Sequence, residues 1–263
     1  MKFPDLNISI AAFYRSGILS MRQLLNVGYD RDDIRVLTHD LDRNEEFIAF
    51  LKEEDITYTT DSIQDESTQR WLLSFDPDVL FSLYYREKIP KSVLDAHQYG
   101  GVNIHPSLLP KYRGVLAVPW AMWNGDEHTG FTYHYMTEEF DAGRIVLQEQ
   151  LPIIPRDTAY SLYHRIIHAG MDRFLDVFDL VVNQEYKGEE QTGESCYHER
   201  DELPNDGYIN PSWDEERVDR FIKAMYYPPF DPAKIKLDGE EFEVVSLTEF
   251  RQLMQHHRST TRI

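Results

Sequence analysis

The chain has very little cysteine: Cys196 is the single one among 263 residues. One cysteine cannot form an internal disulfide, and it excludes a cysteine-based zinc cluster. Long apolar runs are also missing, since none approaches the ~20 residues that a membrane-spanning helix needs. The first residues, Met1-Lys2-Phe3-Pro4-Asp5, lack the charged and then apolar layout of a signal peptide. We therefore predict a cytoplasmic protein that does not contact a membrane.

Basic residues are scarce as well. The sequence has 27 Lys and Arg against 46 Asp and Glu, a net charge of −19. Such a surface repels polyanions, which weighs against nucleic acid or an anionic membrane as a partner. A small anionic substrate is still possible, because a few local arginines can hold one phosphate group. An apolar content of 41% and an aromatic content of 13% are typical of a folded protein.

Strand and helix patterns alternate along the first half of the chain. Apolar strands are predicted over residues 7–13, 34–38, 79–84 and 101–105, with helices of amphipathic spacing between them. This alternation predicts an α/β fold, with a Rossmann-like, mostly parallel sheet flanked by helices. The first strand leads into Tyr14-Arg15-Ser16-Gly17 instead of a G-x-G-x-x-G turn, so nothing indicates a dinucleotide site.

Composition changes after a long helix predicted over residues 158–183. The stretch 184–210 is rich in Glu, Gly and turn formers. We predict a catalytic domain over residues 1–184, a linker over 185–210 and a small C-terminal subdomain over 211–263. That subdomain is expected to hold a helix over 214–225 and a hairpin with strands over 235–237 and 242–247 around an Asp238-Gly239 turn. An exposed hairpin edge would permit a homodimer, although many monomers have one too.

Two polar residues end the strand Gly101-Val102-Asn103-Ile104-His105. Asn103 and His105 lie two positions apart, so both side chains face the same side of a strand. If Asp141 lies alongside, an amide can donate to a developing oxyanion, an imidazole can handle protons and a carboxylate can orient it. By spacing alone, such a pair is more often a polar pair beside a turn. A metal site is not predicted, because Asn is a poor transition-metal ligand. His134 is expected to be a packed residue or one that supports the catalytic residues, and not a proton donor.

Two sequence motifs carry more information than the spacing of the three candidate residues alone. Asn103-Ile104-His105-Pro106-Ser107-Leu108-Leu109-Pro110 and, further on, Asp141-Ala142-Gly143 resemble the folate-dependent formyltransferase family. The resemblance is close over residues 72–154 and extends in layout over the first 180. It implies that Asn103, His105 and Asp141 are a catalytic triad, that 10-formyltetrahydrofolate is the formyl donor, and that no metal takes part.

The resemblance also implies where the folate would bind. In the family, the loop before the Asn-x-His strand binds the pterin through its backbone, and the loop that carries the Asp closes over it. The matching residues here are Tyr85, Arg86, Glu87, Ile89, Thr137, Glu138 and Asp141.

The C-terminal stretch, residues 185–263 and called the tail below, indicates which amine is formylated. The segment around Tyr226-Tyr227-Pro228-Pro229-Phe230, followed by a short hairpin, resembles the sugar nucleotide N-formyltransferases. These enzymes act on dTDP- or GDP-linked amino dideoxy sugars for bacterial surface polysaccharide, such as lipopolysaccharide O-antigen. Tyr226, Tyr227 and Phe230 can stack on a base, or they can pack the tail onto the main domain. Lys111 and Arg113 are candidate phosphate partners.

Other acceptors stay open. Methionyl-tRNA fits poorly, because residues 185–263 carry 18 acidic against 10 basic side chains. A glycinamide ribonucleotide enzyme resembles the first domain alone, and a formyltetrahydrofolate hydrolase resembles a chain with an additional N-terminal domain. A small non-nucleotide amine, or an inactive relative that serves as a binding module, are the remaining alternatives. The base, the position of the amine and its stereochemistry are not predicted.

Overall fold

The computed structural model describes residues 5–199 and 201–260. Within these ranges the strands, numbered in chain order, are β1 (Ile8–Ala12), β2 (Ile34–Leu37), β3 (Thr57–Thr59), β4 (Val79–Leu83), β5 (Gly101–His105), β6 (Arg113–Gly114), β7 (His128–Tyr135), β8 (Ile145–Pro152), β9 (Tyr197–His198), β10 (Ala233–Leu237) and β11 (Glu240–Val244). The α-helices are α1 (Arg15–Asn26), α2 (Glu45–Glu53), α3 (Glu66–Leu73), α4 (Lys91–Asp95), α5 (Ala117–Asn124), α6 (Ala159–Asp172), α7 (Phe174–Val182), α8 (Glu215–Met225) and α9 (Leu247–Thr260). Short 3₁₀ turns cover Arg31–Asp33, Asp42–Asn44 and Pro204–Gly207.

Seven strands form the main sheet, in the order β3-β2-β1-β4-β5-β7-β8. The strands from β3 to β5 pair in parallel, and β7 then runs antiparallel to β5. Every residue of β1 and β4 is buried, as expected for parallel strands covered on both faces. The predicted Rossmann-like, mostly parallel sheet flanked by helices is confirmed. Strand β3 was not predicted, because three residues are too few to produce a recognisable pattern.

The chain forms two compact units. The first contains the chain up to His105 together with Phe131–Glu149 and Ile167–Glu194, and the second contains Pro106–Gly130, Gln150–Ile166 and the chain from Ser195 onward. Each unit is therefore built from three stretches. The domain limits predicted from composition stay a prediction.

The long helix predicted over residues 158–183 is two helices, α6 and α7, which meet at Arg173. The N–H of Arg173 donates to the carbonyl of Gly170, three residues back, and its ψ is 0°. This tighter turn interrupts the α-helical ladder. The apolar spacing continues through Phe174 and Phe178, both fully buried, so periodicity alone could not reveal the break.

The second unit contains the predicted C-terminal hairpin. β10 and β11 pair antiparallel around Asp238-Gly239, and both turn residues have positive φ. The second strand ends at Val244, earlier than predicted, because α9 begins at Leu247. α8 packs Val218 and Phe221 into an apolar cluster with hairpin residues such as Ile235. No helix in the described parts of the chain is long and apolar enough to cross a bilayer.

Candidate active site

Strand β5 carries the first two residues of the predicted triad. Asn103 is half-buried and His105 is buried, and their positions two residues apart place both side chains on one face of the strand. β7 pairs with β5 so that His134 lies opposite Asn103 and Thr132 lies opposite His105. The antiparallel partner strand therefore adds a second imidazole beside the amide.

Asp141 lies in the loop between β7 and β8. Its φ of 52° is in the left-handed region, which Asp tolerates better than most residues. Gly143 allows the loop to approach β7 closely, because an added Cβ would lie 1.8 Å from the carbonyl oxygen of Tyr135. A glycine is therefore required two positions after the carboxylate.

The Asp141 carboxylate faces two imidazoles. Its Oδ2 is 3.5 Å from Nδ1 of His105, and its Oδ1 is 3.3 Å from Nε2 of His134. The side-chain exposed fractions are 11% for Asp141, 6% for His105 and 2% for His134. Little water reaches these groups, so the electrostatic interactions among them are screened far less than at a surface. The structure thus brings together all three residues of the predicted triad.

His134 also fixes the neighbouring amide. Its Nδ1 is 2.9 Å from the carbonyl oxygen of Tyr135, which can only accept, so Nδ1 carries a proton. Its Nε2 is 3.1 Å from Nδ2 of Asn103. In this arrangement the Asn103 amide donates one hydrogen to His134 and keeps its second hydrogen for another acceptor. His134 is buried and lies beside two triad residues, in line with the expectation of a packed or supporting residue, and the strand register determines which two residues it meets.

The loop that the resemblance assigns to folate follows β4. Tyr85 and Ile89 pack into an apolar cluster that includes Leu80 and Val93, so these two side chains anchor the loop. The Glu87 carboxylate accepts from the Ser62 hydroxyl at 2.5 Å and from the Tyr85 hydroxyl at 3.4 Å. Arg86 is exposed. A ligand would therefore meet the backbone of this loop more readily than its anchored side chains.

His39, which follows β2, supports the same loop. Its ring stacks on Tyr85 with centroids 4.4 Å apart, and its Nε2 accepts from the Arg86 N–H at 3.3 Å. Burial lowers the pKa of His39, although the nearby Glu87 opposes the shift. Burial also raises the pKa of Tyr85. Both rings are held neutral, which matches the hydrogen bond that His39 accepts.

The second predicted folate segment, residues 137–141, is more exposed. Thr137 donates from Oγ1 to the carbonyl of Glu139 at 3.0 Å, and Glu138 is exposed. Phe140 is 51% exposed and lies 5.1 Å from the Lys88 ammonium, measured to its ring centroid. This cation–π contact joins the two predicted folate loops within the first unit.

The predicted substrate residues all lie in the second unit. Lys111 is exposed, with its Nζ 3.9 Å from Asp126 Oδ2, a distance at which an exposed pair contributes little. Arg113 begins β6, which pairs in parallel with Tyr197 and His198 of β9. Lys111 and Arg113 lie in the stretch that follows β5, and their role as phosphate partners stays a prediction.

Tyr226, Tyr227 and Phe230 follow α8. The carbonyl of Tyr226 accepts from the N–H of Tyr160 at 3.0 Å. Tyr227 makes edge contacts with Tyr160 and Tyr163 at centroid distances of 5.7 and 5.4 Å. Phe230 is 63% exposed. These contacts show that Tyr226 and Tyr227 attach the tail to α6, and the exposed ring of Phe230 is the one most accessible to a base.

Comparison with known proteins defines the class. The family described as Formyl transferase matches residues 24–178. GDP-perosamine N-formyltransferase of Brucella melitensis is 41% identical over 253 residues, which is 96% of this chain and 97% of the relative. The chain belongs to the formyl transferase family, and the resemblance predicted from its two motifs is confirmed.

Solved structures agree on the fold. A sugar 3N-formyl transferase, WlaRD, solved in the presence of dTDP and 5-N-formyl-THF, superposes with a TM-score of 0.74 at 22% identity, covering 92% of this chain and 85% of that one. A 4-N formyltransferase from Francisella tularensis gives a TM-score of 0.75 at 19% identity, covering 92% and 97%.

Proposed function

We propose that this chain transfers the formyl group of 10-formyltetrahydrofolate to the amino group of a GDP-linked amino dideoxy sugar. One observation carries the chemistry: an amide, two imidazoles and a carboxylate lie together in a group that is largely closed to water, in a chain of the formyl transferase family. A relative that is similar over almost the whole chain is named for GDP-perosamine, which supports GDP over dTDP and an amino sugar over tRNA. Cytoplasmic location and a homodimer stay predictions.

The residues of the first unit fit a folate donor. The Tyr85–Pro90 loop is anchored by buried side chains, so its backbone can present hydrogen-bonding groups in a fixed arrangement. Thr137 and Glu138 offer exposed polar groups on the loop that carries Asp141. The donor, when bound, supplies a formyl carbon that is open to attack by an amine. Side chains of this protein stabilise the charge on the formyl oxygen and take the proton from the amine.

Asn103 stabilises the charge that develops on the formyl oxygen. One of its amide hydrogens is directed to His134 at 3.1 Å, which prevents the amide from rotating. The second hydrogen then donates to the oxygen as negative charge builds up during attack. An amide suits this task because it donates without titrating, and a fixed donor needs no reorganisation at the moment of reaction.

His105 and Asp141 handle the proton that the attacking amine must lose. The carboxylate of Asp141 faces Nδ1 of His105, so it favours the tautomer with a proton on that nitrogen. Nε2 is then the ring nitrogen that accepts the proton from the amine. The positive charge that results on the imidazole is stabilised by Asp141. The proton leaves the adduct before the bond to the donor nitrogen breaks, and the protonated imidazole of His105 then gives a proton to that nitrogen, so tetrahydrofolate leaves as a neutral amine.

For the acceptor, we keep the residues that the sequence indicates. Phe230, with its exposed ring, is the candidate for stacking on guanine, and Lys111 and Arg113 are the candidates for the pyrophosphate. Tyr226 and Tyr227 would shape the same part of the site through their contacts with α6.

Calorimetric binding to GDP, dTDP and UDP, each with and without 5-formyltetrahydrofolate as a stable donor analogue, tests the assignment. We expect the folate analogue and GDP to bind, and dTDP and UDP to bind more weakly. Preference for dTDP would overturn the choice of base. Folate binding with no nucleotide bound would overturn the sugar nucleotide as acceptor and leave other amines.

A further inference from the structure

The loop that carries Asp141 is held in place by a segment far away in sequence, residues 186–191. This segment lies outside the stretch that matches the formyl transferase family, which ends at residue 178. Three of its residues bond to the start, the end and the middle of the Asp141 loop, and all of them belong to the first unit.

Two contacts hold the ends of the loop. At its start, the Tyr135 hydroxyl donates to the carbonyl of Tyr186 at 2.5 Å. At its end, Ile145 and Glu189 exchange two backbone hydrogen bonds of 2.7 and 2.8 Å. The exposed pair between Arg144 and Glu190, at 3.4 Å, adds little. The ends of the loop are thus fixed by backbone and hydroxyl groups.

The third contact acts on Asp141 itself. The side-chain amide of Gln191 donates to the carbonyl of Asp141 and to the carbonyl of Gly143, both at 2.7 Å. An amide NH₂ has two hydrogens, and both are used here. The contact holds Asp141 in its left-handed conformation, with φ of 52°, which is less favourable than a helical or extended one for a non-glycine residue.

We propose that Gln191 is a positioning residue for catalysis, which acts by fixing Asp141 between His105 and His134. The inference rests on the formyl transfer proposed above. Both hydrogen bonds from the Gln191 amide go to backbone carbonyls, so its effect reaches the imidazoles through the backbone of Asp141. Without these two hydrogen bonds, Asp141 shifts relative to His105, and a displacement of about 1 Å in such a site can lower turnover roughly 100-fold.

Two variants of almost unchanged size test the proposal. In Gln191→Glu, a carboxylate replaces the donor and repels both carbonyls. In Gln191→Met, the donor is simply absent. We expect kcat to fall roughly 10- to 100-fold in both, with the KM for each substrate and the affinity for 5-formyltetrahydrofolate unchanged. Gln184→Met is the matched control, because Gln184 donates to Asp179 in an exposed contact and should keep the kcat of the wild type.

The pH profile separates positioning from general stability. When the new carboxyl group of Gln191→Glu takes up a proton, it can again donate one hydrogen, so the kcat of this variant relative to the wild type should recover as the pH is lowered. The kcat of Gln191→Met relative to the wild type should stay low as the pH is lowered. Equal kcat for both variants and the wild type would overturn the proposal, and so would a loss that follows reduced thermal stability without pH recovery. If the wild type transferred no formyl group, the proposed function would fail instead.

Discussion

His134→Phe removes the imidazole between Asn103 and Asp141 while keeping a planar ring in its place. His134 is 2% exposed, so a phenyl ring meets an environment that is already closed to water. The change removes the acceptor at 3.1 Å from the Asn103 amide. The amide can then rotate.

The expected cost follows from the contact with Asn103. Because Nδ1 of His134 carries the proton, Nε2 accepts from the Asn103 amide and does not donate to Asp141. Only a neutral hydrogen bond is therefore lost, which contributes about 0.5–1.5 kcal/mol. A loss of about 0.5–1.5 kcal/mol in the transition state lowers kcat roughly 2- to 13-fold.

The assay is steady-state formylation of GDP-perosamine, the acceptor for which the Brucella melitensis relative is named, with chromatographic detection of the product. The thermal midpoint and the affinity for 5-formyltetrahydrofolate are measured on the same samples. His128→Phe is the control, since His128 is exposed at the start of the same strand and should keep full activity. If His134→Phe retained the kcat of the wild type, the assignment of His134 as the residue that fixes the Asn103 amide would be wrong.

Three further predictions follow from the same structure. Asn103→Ala should lower kcat roughly 10²- to 10³-fold with folate affinity retained, and equal losses in both quantities would point to a ground-state role. Gly17→Ala should lower the free energy of unfolding, measured in urea, by about 1–3 kcal/mol, because its Cβ would lie 2.3 Å from the Phe47 ring; a more stable variant would contradict this packing. Burial lowers the pKa of His97, so as the pH falls through about 6.5 the unfolded chain takes up the proton first and stability drops by at most about 1.4 kcal/mol per pH unit. His97→Gln should remove that part of the slope, and an unchanged slope would refute it.

The sheet and the triad could be predicted because their signals are local. Buried strands such as β1 and β4 are short apolar runs bounded by turn residues, and Asn103 and His105 are neighbours on one strand. The motif wording then places Asp141 with them by family resemblance. None of these inferences needs the pairing of distant segments.

The contacts that complete the site could not be predicted, because each depends on pairing between distant residues. His134 meets Asn103 only through the register of β5 and β7. Gln191 meets Asp141 across 50 residues of sequence, from a stretch whose composition indicates a linker. Helix α9 was not predicted either: its apolar start, Leu247, reads as a continuation of the preceding strand.

Mass spectrometry of GDP-perosamine, after incubation with 10-formyltetrahydrofolate and this protein, tests the central claim most directly. The account predicts that the sugar nucleotide gains one formyl group on its amine, and that His105→Ala abolishes most of this gain. An acceptor that stays unchanged with the folded wild-type protein, under conditions where the folate donor binds, would contradict the claim.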